Sequence, residues 1–184
     1  LVNKGEVPMS RIDDAVSRIL RMKYELNLFE NSVANAKDYP KFGSPEHIQE
    51  AYNTAAESIT LLKNKDAVLP LNKSEKILVT GPTSNSMKYL NGGWSYTWQG
   101  ENSDVYAADK FTILEAFQNK LGKENVLYAS GADFAKEDDA EIEKAVALDK
   151  QASKIVLCLG EKNDTETPGD ISNLFMRDSQ IKLA

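Results

Sequence analysis

Three short aliphatic and β-branched runs recur between residues 76 and 159: Lys76-Ile77-Leu78-Val79-Thr80, Asn125-Val126-Leu127-Tyr128-Ala129 and Ile155-Val156-Leu157-Cys158-Leu159. Each reads as a buried strand. Between them, Thr112 to Leu121 is amphipathic at helical spacing and is closed by Gly122, and Asp138 to about Lys150 forms a second such segment. Strands that alternate with helices are joined by crossovers rather than hairpins, and crossovers make neighbouring strands parallel. The pattern therefore predicts an α/β fold with a mainly parallel sheet flanked by helices.

In an open parallel sheet the loops leaving the carboxyl ends of the strands converge on one edge, where ligands bind. Two loops take that position here. One is aromatic, Gly92-Gly93-Trp94-Ser95-Tyr96-Thr97-Trp98-Gln99-Gly100, and follows the first strand; the other is acidic, Gly160 to Asp170, and follows the last. Flat rings and carboxylates are then expected to share one cleft. A sugar suits that combination, because its C–H face stacks on indole, its hydroxyls need acceptors, and cleaving its acetal needs a proton donor.

Within these loops, Glu161 follows the strand directly through Gly160, which holds its backbone while leaving room for a ligand. Asp164, Glu166 and Asp170 bring like charge nearby, and like charge favours the protonated carboxyl that a general acid requires. The glycines around Trp94 and Trp98 describe a turn rather than a strand or helix face, so the rings can serve as a platform as readily as they can cap a core.

Other chemistries find less support. A net charge of −6 repels phosphate backbones, which argues against nucleic acid as a partner. No run of about 18 apolar residues is present to span a membrane. Cys158, the single cysteine, sits in an apolar run and reads as a small core residue. His47, the single histidine, lies in the first turn of an expected helix with no G-x-S-x-G turn elsewhere, so neither a serine-hydrolase triad nor a zinc site is expected. Val79-Thr80-Gly81-Pro82 matches neither phosphate-loop pattern, which weakens a flavodoxin-like nucleotide module.

The first third of the chain is organised differently. Ser10 reads as the N-cap of an amphipathic helix carrying Ile12, Ala15, Val16, Ile19, Met22 and Leu26 up to about Leu28, a helix that requires a packing partner. Glu30 to Gly43 has linker composition. Ser44-Pro45-Glu46 opens a second helix, Ile59 to Asn64 looks like a strand, and Ala67 to Leu71 is expected to be extended. Asp178-Ser179-Gln180 starts a last helix, and the opening on Leu1 without a signal-like segment reads as a piece of a longer protein.

Taken together, "RIDDAVSRILRMKYELNLFE", "GSPEHIQEAYNTAAESITLLKNKDAVLPL", "ILVTGP", "NGGWSYTWQG", "TILEAF" and "CLGEKNDTETPGDISNL" resemble, in order and over nearly the whole chain, glycoside hydrolase family 3, the retaining β-glucosidases and related exo-acting β-glycosidases. The resemblance implies residues 1–29 as the end of a (β/α)8 barrel, 30–43 as a linker, and 44–184 as the first part of an α/β sandwich. It implies Glu161 as the acid/base, with Glu166 the second choice because the loop varies in length. Trp94 matches a tryptophan that clamps the sugar beyond the scissile bond; Trp98, Glu166 and Asp170 are expected to widen the platform or bind hydroxyls.

The family's nucleophile is an aspartate of the barrel, so the missing barrel is the expected partner, together with a β-glucoside or oligosaccharide substrate. No cofactor or metal is implied, and a periplasmic or secreted location is favoured by many bacterial relatives. A non-catalytic carbohydrate-binding or scaffolding domain of the same fold is the alternative.

Overall fold

The computed structural model describes residues 1–135 and 139–184, which form two compact units, Leu1–Asn64 and Lys65–Ala184. In the first unit, α1 (Met9–Glu25) follows Pro8, whose extended backbone is the N-cap, so Ser10 lies inside the helix rather than capping it. Proline fixes its own φ and delivers the chain already aimed at the first turn. The helix stops before Leu28 because Asn27 adopts a left-handed φ of 55°. Its stripe of Ile12, Val16, Ile19 and Met22 is exposed. In α2 (Pro45–Ser58) the expected cap holds: Ser44 Oγ accepts from the His47 N–H at 3.4 Å, with Pro45 in the first turn, and His47 faces solvent.

The run 59–64 is not a strand. Its β-branched composition supplies propensity, but strand backbone needs a neighbour for its N–H and C=O groups, and the run pairs with none of the three strands of the sheet. Leu62 is left 91% exposed. Residues 67–71 are not extended throughout either, since Asp66 and Ala67 turn left-handed (φ 56° and 51°) at the end of a 3-10 turn, Lys65–Ala67.

The second unit is built on three parallel strands in the order β2-β1-β3: β1 (Ile77–Thr80), β2 (Val126–Ala129) and β3 (Lys154–Leu157). β1 is central and wholly buried. Two short helices, α3 (Met87–Asn91) and α4 (Ser103–Tyr106), punctuate the connection out of β1. Next comes α5 (Ile113–Leu121), started by a capping box in which Thr112 and Glu115 answer each other's backbone N–H, and ended by Gly122 at φ 88°. It covers the sheet face of Ile77 and Val79, where Leu114, Val126 and Cys158 complete the core. α6 (Asp139–Asp149) packs on β1 and β2; Asp138, its expected first residue, lies outside the described residues. β3 is an edge strand, not a buried one: Ile155 is 50% and Leu157 37% exposed, because α6 packs on β1 and β2 rather than over this edge. α7 (Asp178–Leu183) closes the chain.

The chain runs from β1 to β2 on one side, then crosses to β3 on the other. The order therefore reverses between β1 and β3, which is where open α/β sheets bind ligands. No helix among the described residues is long and apolar enough to cross a membrane.

Candidate functional site

At that switch point the loops following β1 and β3 are tied together. The side chain of Gln99 makes two bonds to one residue of the acidic loop: its Oε1 accepts from the Thr165 N–H at 2.9 Å, and its Nε2 donates to the Thr165 carbonyl at 3.0 Å. Asn163 adds a third link, donating from Nδ2 to the Gln99 carbonyl. Two glycines permit this approach. A Cβ on Gly93 would stand 2.8 Å from the Thr165 Cβ, and one on Gly100, at φ 69°, would meet the Gly92 carbonyl oxygen at 2.2 Å.

The aromatic loop does not cap the core. Trp94 is 65% exposed, Tyr96 61% and Trp98 46%. The Trp94 N–H donates to the Trp98 carbonyl at 2.9 Å, closing a small turn in which Trp94 and Tyr96 both hold left-handed backbone, at φ 63° and 62°. Such conformations cost about 1–3 kcal/mol each and persist where surroundings impose them, commonly at ligand clamps. Tyr96 is stacked on Tyr106, centroids 5.3 Å apart. The loop's approach is fixed by Asp104, whose carboxylate accepts from Ser86 Oγ and from the Lys88 N–H at 3.1 Å. Beside α3, Tyr89 meets Phe134 edge-on at 4.6 Å, and burial, helped by the Asp133 and Asp104 charges, pushes its phenol up.

The acidic loop has two faces. Asn163 and Thr165 turn toward the aromatic loop. Glu161, Asp164 and Asp170 instead line a groove of about 880 Å³ with Asp133, Phe134 and Arg177, and neither tryptophan is part of that lining. Asp164 is engaged already: it pairs with Lys162 at 3.2 Å and lies against Gly169. Glu161, Glu166 and Asp170 present exposed side chains. Glu166 directly follows the clamped Thr165 and holds φ 55°, ψ −143°, a combination that glycine tolerates and other residues adopt only under constraint. Among the described residues, no group of three or more His, Cys, Asp or Glu side chains is arranged to hold a metal ion.

Residues 59–184 match the model of the glycosyl hydrolase family 3 C-terminal domain. The chain belongs to glycosyl hydrolase family 3. It is 38% identical to the lysosomal beta glucosidase of Dictyostelium discoideum, over all of this chain but 23% of that protein. It is 31% identical to the periplasmic beta-glucosidase of Salmonella typhimurium, over 88% of this chain and 24% of that one. A crystal structure of a beta-glucosidase from Listeria innocua, in complex with glucose, superposes on the whole chain with a TM-score of 0.76 at 27% identity, using 24% of its own length. The chain thus spans about a quarter of the length of these family 3 relatives.

Sequence reasoning found both loops of this family 3 domain but missed the residues that join them. Gln99, Asn163 and Thr165 carry no local signature, since each depends on a partner more than sixty residues away in sequence. Gly93 and Gly100 are visible in the sequence as turn residues, and they do mark places of close approach. Gln180 was likewise read only as part of a helix start; its amide grips Gly160, with the Gly160 N–H donating to Oε1 at 3.0 Å and Nε2 donating to the Gly160 carbonyl at 2.9 Å.

Proposed function

We propose that this chain is part of a retaining exo-acting β-glycosidase, a β-glucosidase by the names of its relatives, and that it contributes the acid/base glutamate and an aromatic sugar platform. The observation that carries this reading is the Gln99 clamp, which brings a carboxylate-bearing loop against an exposed, strained tryptophan turn. In this reading residues 1–29 end a barrel, 30–43 link, and 44–184 begin the sandwich domain. The attacking carboxylate comes from outside this chain. As it bonds to the anomeric carbon, the glutamate gives its proton to the departing glycosidic oxygen. In the second step the resulting carboxylate takes a proton from water, whose oxygen bonds to the same carbon and releases the sugar and the nucleophile.

Two features support Glu166 over Glu161 as that acid/base. It is the carboxylate next in sequence to the clamped Thr165, and its backbone is strained. Glu161 has in its favour the sheet edge and a shared groove with Asp170. Trp94 stacks on the leaving-group sugar, and Trp98 widens the platform.

Replacing each glutamate by alanine in the full-length enzyme tests the assignment. The variant lacking the acid loses about 10²–10⁴-fold in kcat/KM on poor leaving groups, far less on dinitrophenyl glycosides, and azide restores rate on the latter. If the pattern follows Glu161→Ala, the role moves to Glu161. If neither variant shows it, the reading fails.

A further inference from the structure

Hydrogen bonding of the acidic loop reveals a shared device. The ladder between β1 and β3 ends at Thr80 and Leu157; one further bond, from the Cys158 N–H to the Thr80 carbonyl at 2.8 Å, and a long one from Thr83 N–H to the Cys158 carbonyl at 3.5 Å, finish the sheet. Beyond that point no strand among the described residues lies beside the loop. Instead, two glutamine side chains supply what a strand would. Gln180 exchanges both bonds with Gly160 at the loop's root, and Gln99 exchanges both with Thr165 near its tip. Each primary amide offers one acceptor and one donor in a plane, so it answers the N–H and C=O of a single residue as a hydrogen-bonded pair does in an antiparallel ladder.

The two glutamines sit in contrasting surroundings. Gln180 is fully buried, with 0% exposure, in an α7 that is itself anchored by Ser179 Oγ donating to the Asp133 carbonyl at 3.2 Å. Space around Gly160 is tight on the other side as well, since a Cβ there would lie 3.2 Å from Thr83 Cγ2. Gln99 is half-buried and follows Trp98 immediately. The clamp at the tip therefore connects the sugar platform to the carboxylate loop through one residue on each side, Trp98 to Gln99 and Thr165 to Glu166.

We propose that Gln99 and Gln180 are positioning residues of the glycosidase reaction, which act through the backbone of the acidic loop to set where its acid/base carboxyl meets the glycosidic oxygen. The inference rests on the reading that this loop carries the acid/base. Neither glutamine touches the reacting atoms. Their contribution is to proton delivery, which depends on placement to a fraction of an ångström; an error of 1 Å costs on the order of a hundredfold.

The test uses the full-length enzyme with Gln99→Met and Gln180→Met, which keep length and remove both bonds, and with Gln99→Glu and Gln180→Glu, which keep the acceptor and lose the donor. Rates on alkyl and on dinitrophenyl β-glucosides are compared. Each Met variant is expected to lower kcat/KM on the alkyl glucoside about 10- to 100-fold more than on the dinitrophenyl one. The Glu variants recover part of that ratio as pH falls, when the protonated carboxyl regains an O–H donor. Equal losses on both substrates, or no loss, overturn the proposal.

Should the Met variants not fold, hydrogen exchange on the unmutated enzyme decides: protected amides at Gly160 and Thr165 support the clamps, and exchange at the rate of an open loop overturns them. Glu161→Ala and Glu166→Ala run alongside. If neither shows the leaving-group signature, the functional reading has failed; if one does while the glutamine variants do not, only this inference has.

Discussion

A neighbour, rather than a dihedral angle, fixes glycine at position 93, because any Cβ there runs into the Cβ of Thr165, which is branched and cannot swing away. Gly93→Ala is therefore expected to pry the two loops apart, costing about 1–3 kcal/mol of overpacking and lowering kcat/KM in the full-length enzyme. A melting temperature and kcat/KM both unchanged would mean the loops are not held this closely. Cys158 tests a different residue-level effect. Burial pushes its thiol up from the ordinary value of 9.0, since the thiolate would lose its water. The folded chain keeps that proton where the unfolded chain releases it, so the stabilisation is present below pH 9.0 and is lost as pH rises above it. Urea midpoints between pH 7.5 and 10 should fall more steeply for the native chain than for Cys158→Ala; equal slopes would contradict this. At this scale the sequence was legible where a function is local, as with the Ser44 cap and the Gly122 stop of α5. It was silent on Gln99 and Gln180, whose partners are chosen by the fold.

Elements that carry their own start, period and stop were read correctly: α5 has a cap, an apolar stripe and a terminal glycine within eleven residues, Thr112 to Gly122. Elements defined by their neighbours were not. The run 59–64 and β3 have similar apolar composition, yet one finds no ladder and the other pairs along one side only, a difference that composition does not encode. α3 and α4, at five and four residues, are shorter than any periodic signal and owe their order to contacts such as Asp104 with Lys88. The sheet's asymmetry has a measurable consequence. Ile77→Ala in central β1 empties a site with 0% exposure and is expected to cost about 2–5 kcal/mol. Ile155→Ala, at a position half open to solvent, should cost well under half as much by the area lost from water. Comparable urea midpoints for the two variants would show that the β3 face is covered in solution.

For the molecule as a whole, the proposed division of chemistry between this chain and a barrel outside it sets the last expectation. Retaining hydrolysis needs two carboxyls about 5–5.5 Å apart, one to attack the anomeric carbon and one to protonate the leaving oxygen. In the proposed reading the acidic loop supplies the second. Its other carboxylates are poor substitutes for the first: Asp164 is paired with Lys162, and Glu161 and Asp170 line a groove that excludes both tryptophans. The chain also spans only 23% and 24% of the two relatives compared, and within Leu1–Asn64 no described residue is buried, which leaves apolar surface such as the α1 stripe exposed. The 184-residue chain alone is therefore expected to hydrolyse 4-nitrophenyl β-glucoside no faster than buffer, although its three-stranded unit keeps a buried core. Turnover by the purified chain that disappears with Glu166→Ala or Glu161→Ala would place both carboxyls within it and overturn the two-part arrangement. Turnover indifferent to both substitutions would instead mark a contaminating enzyme.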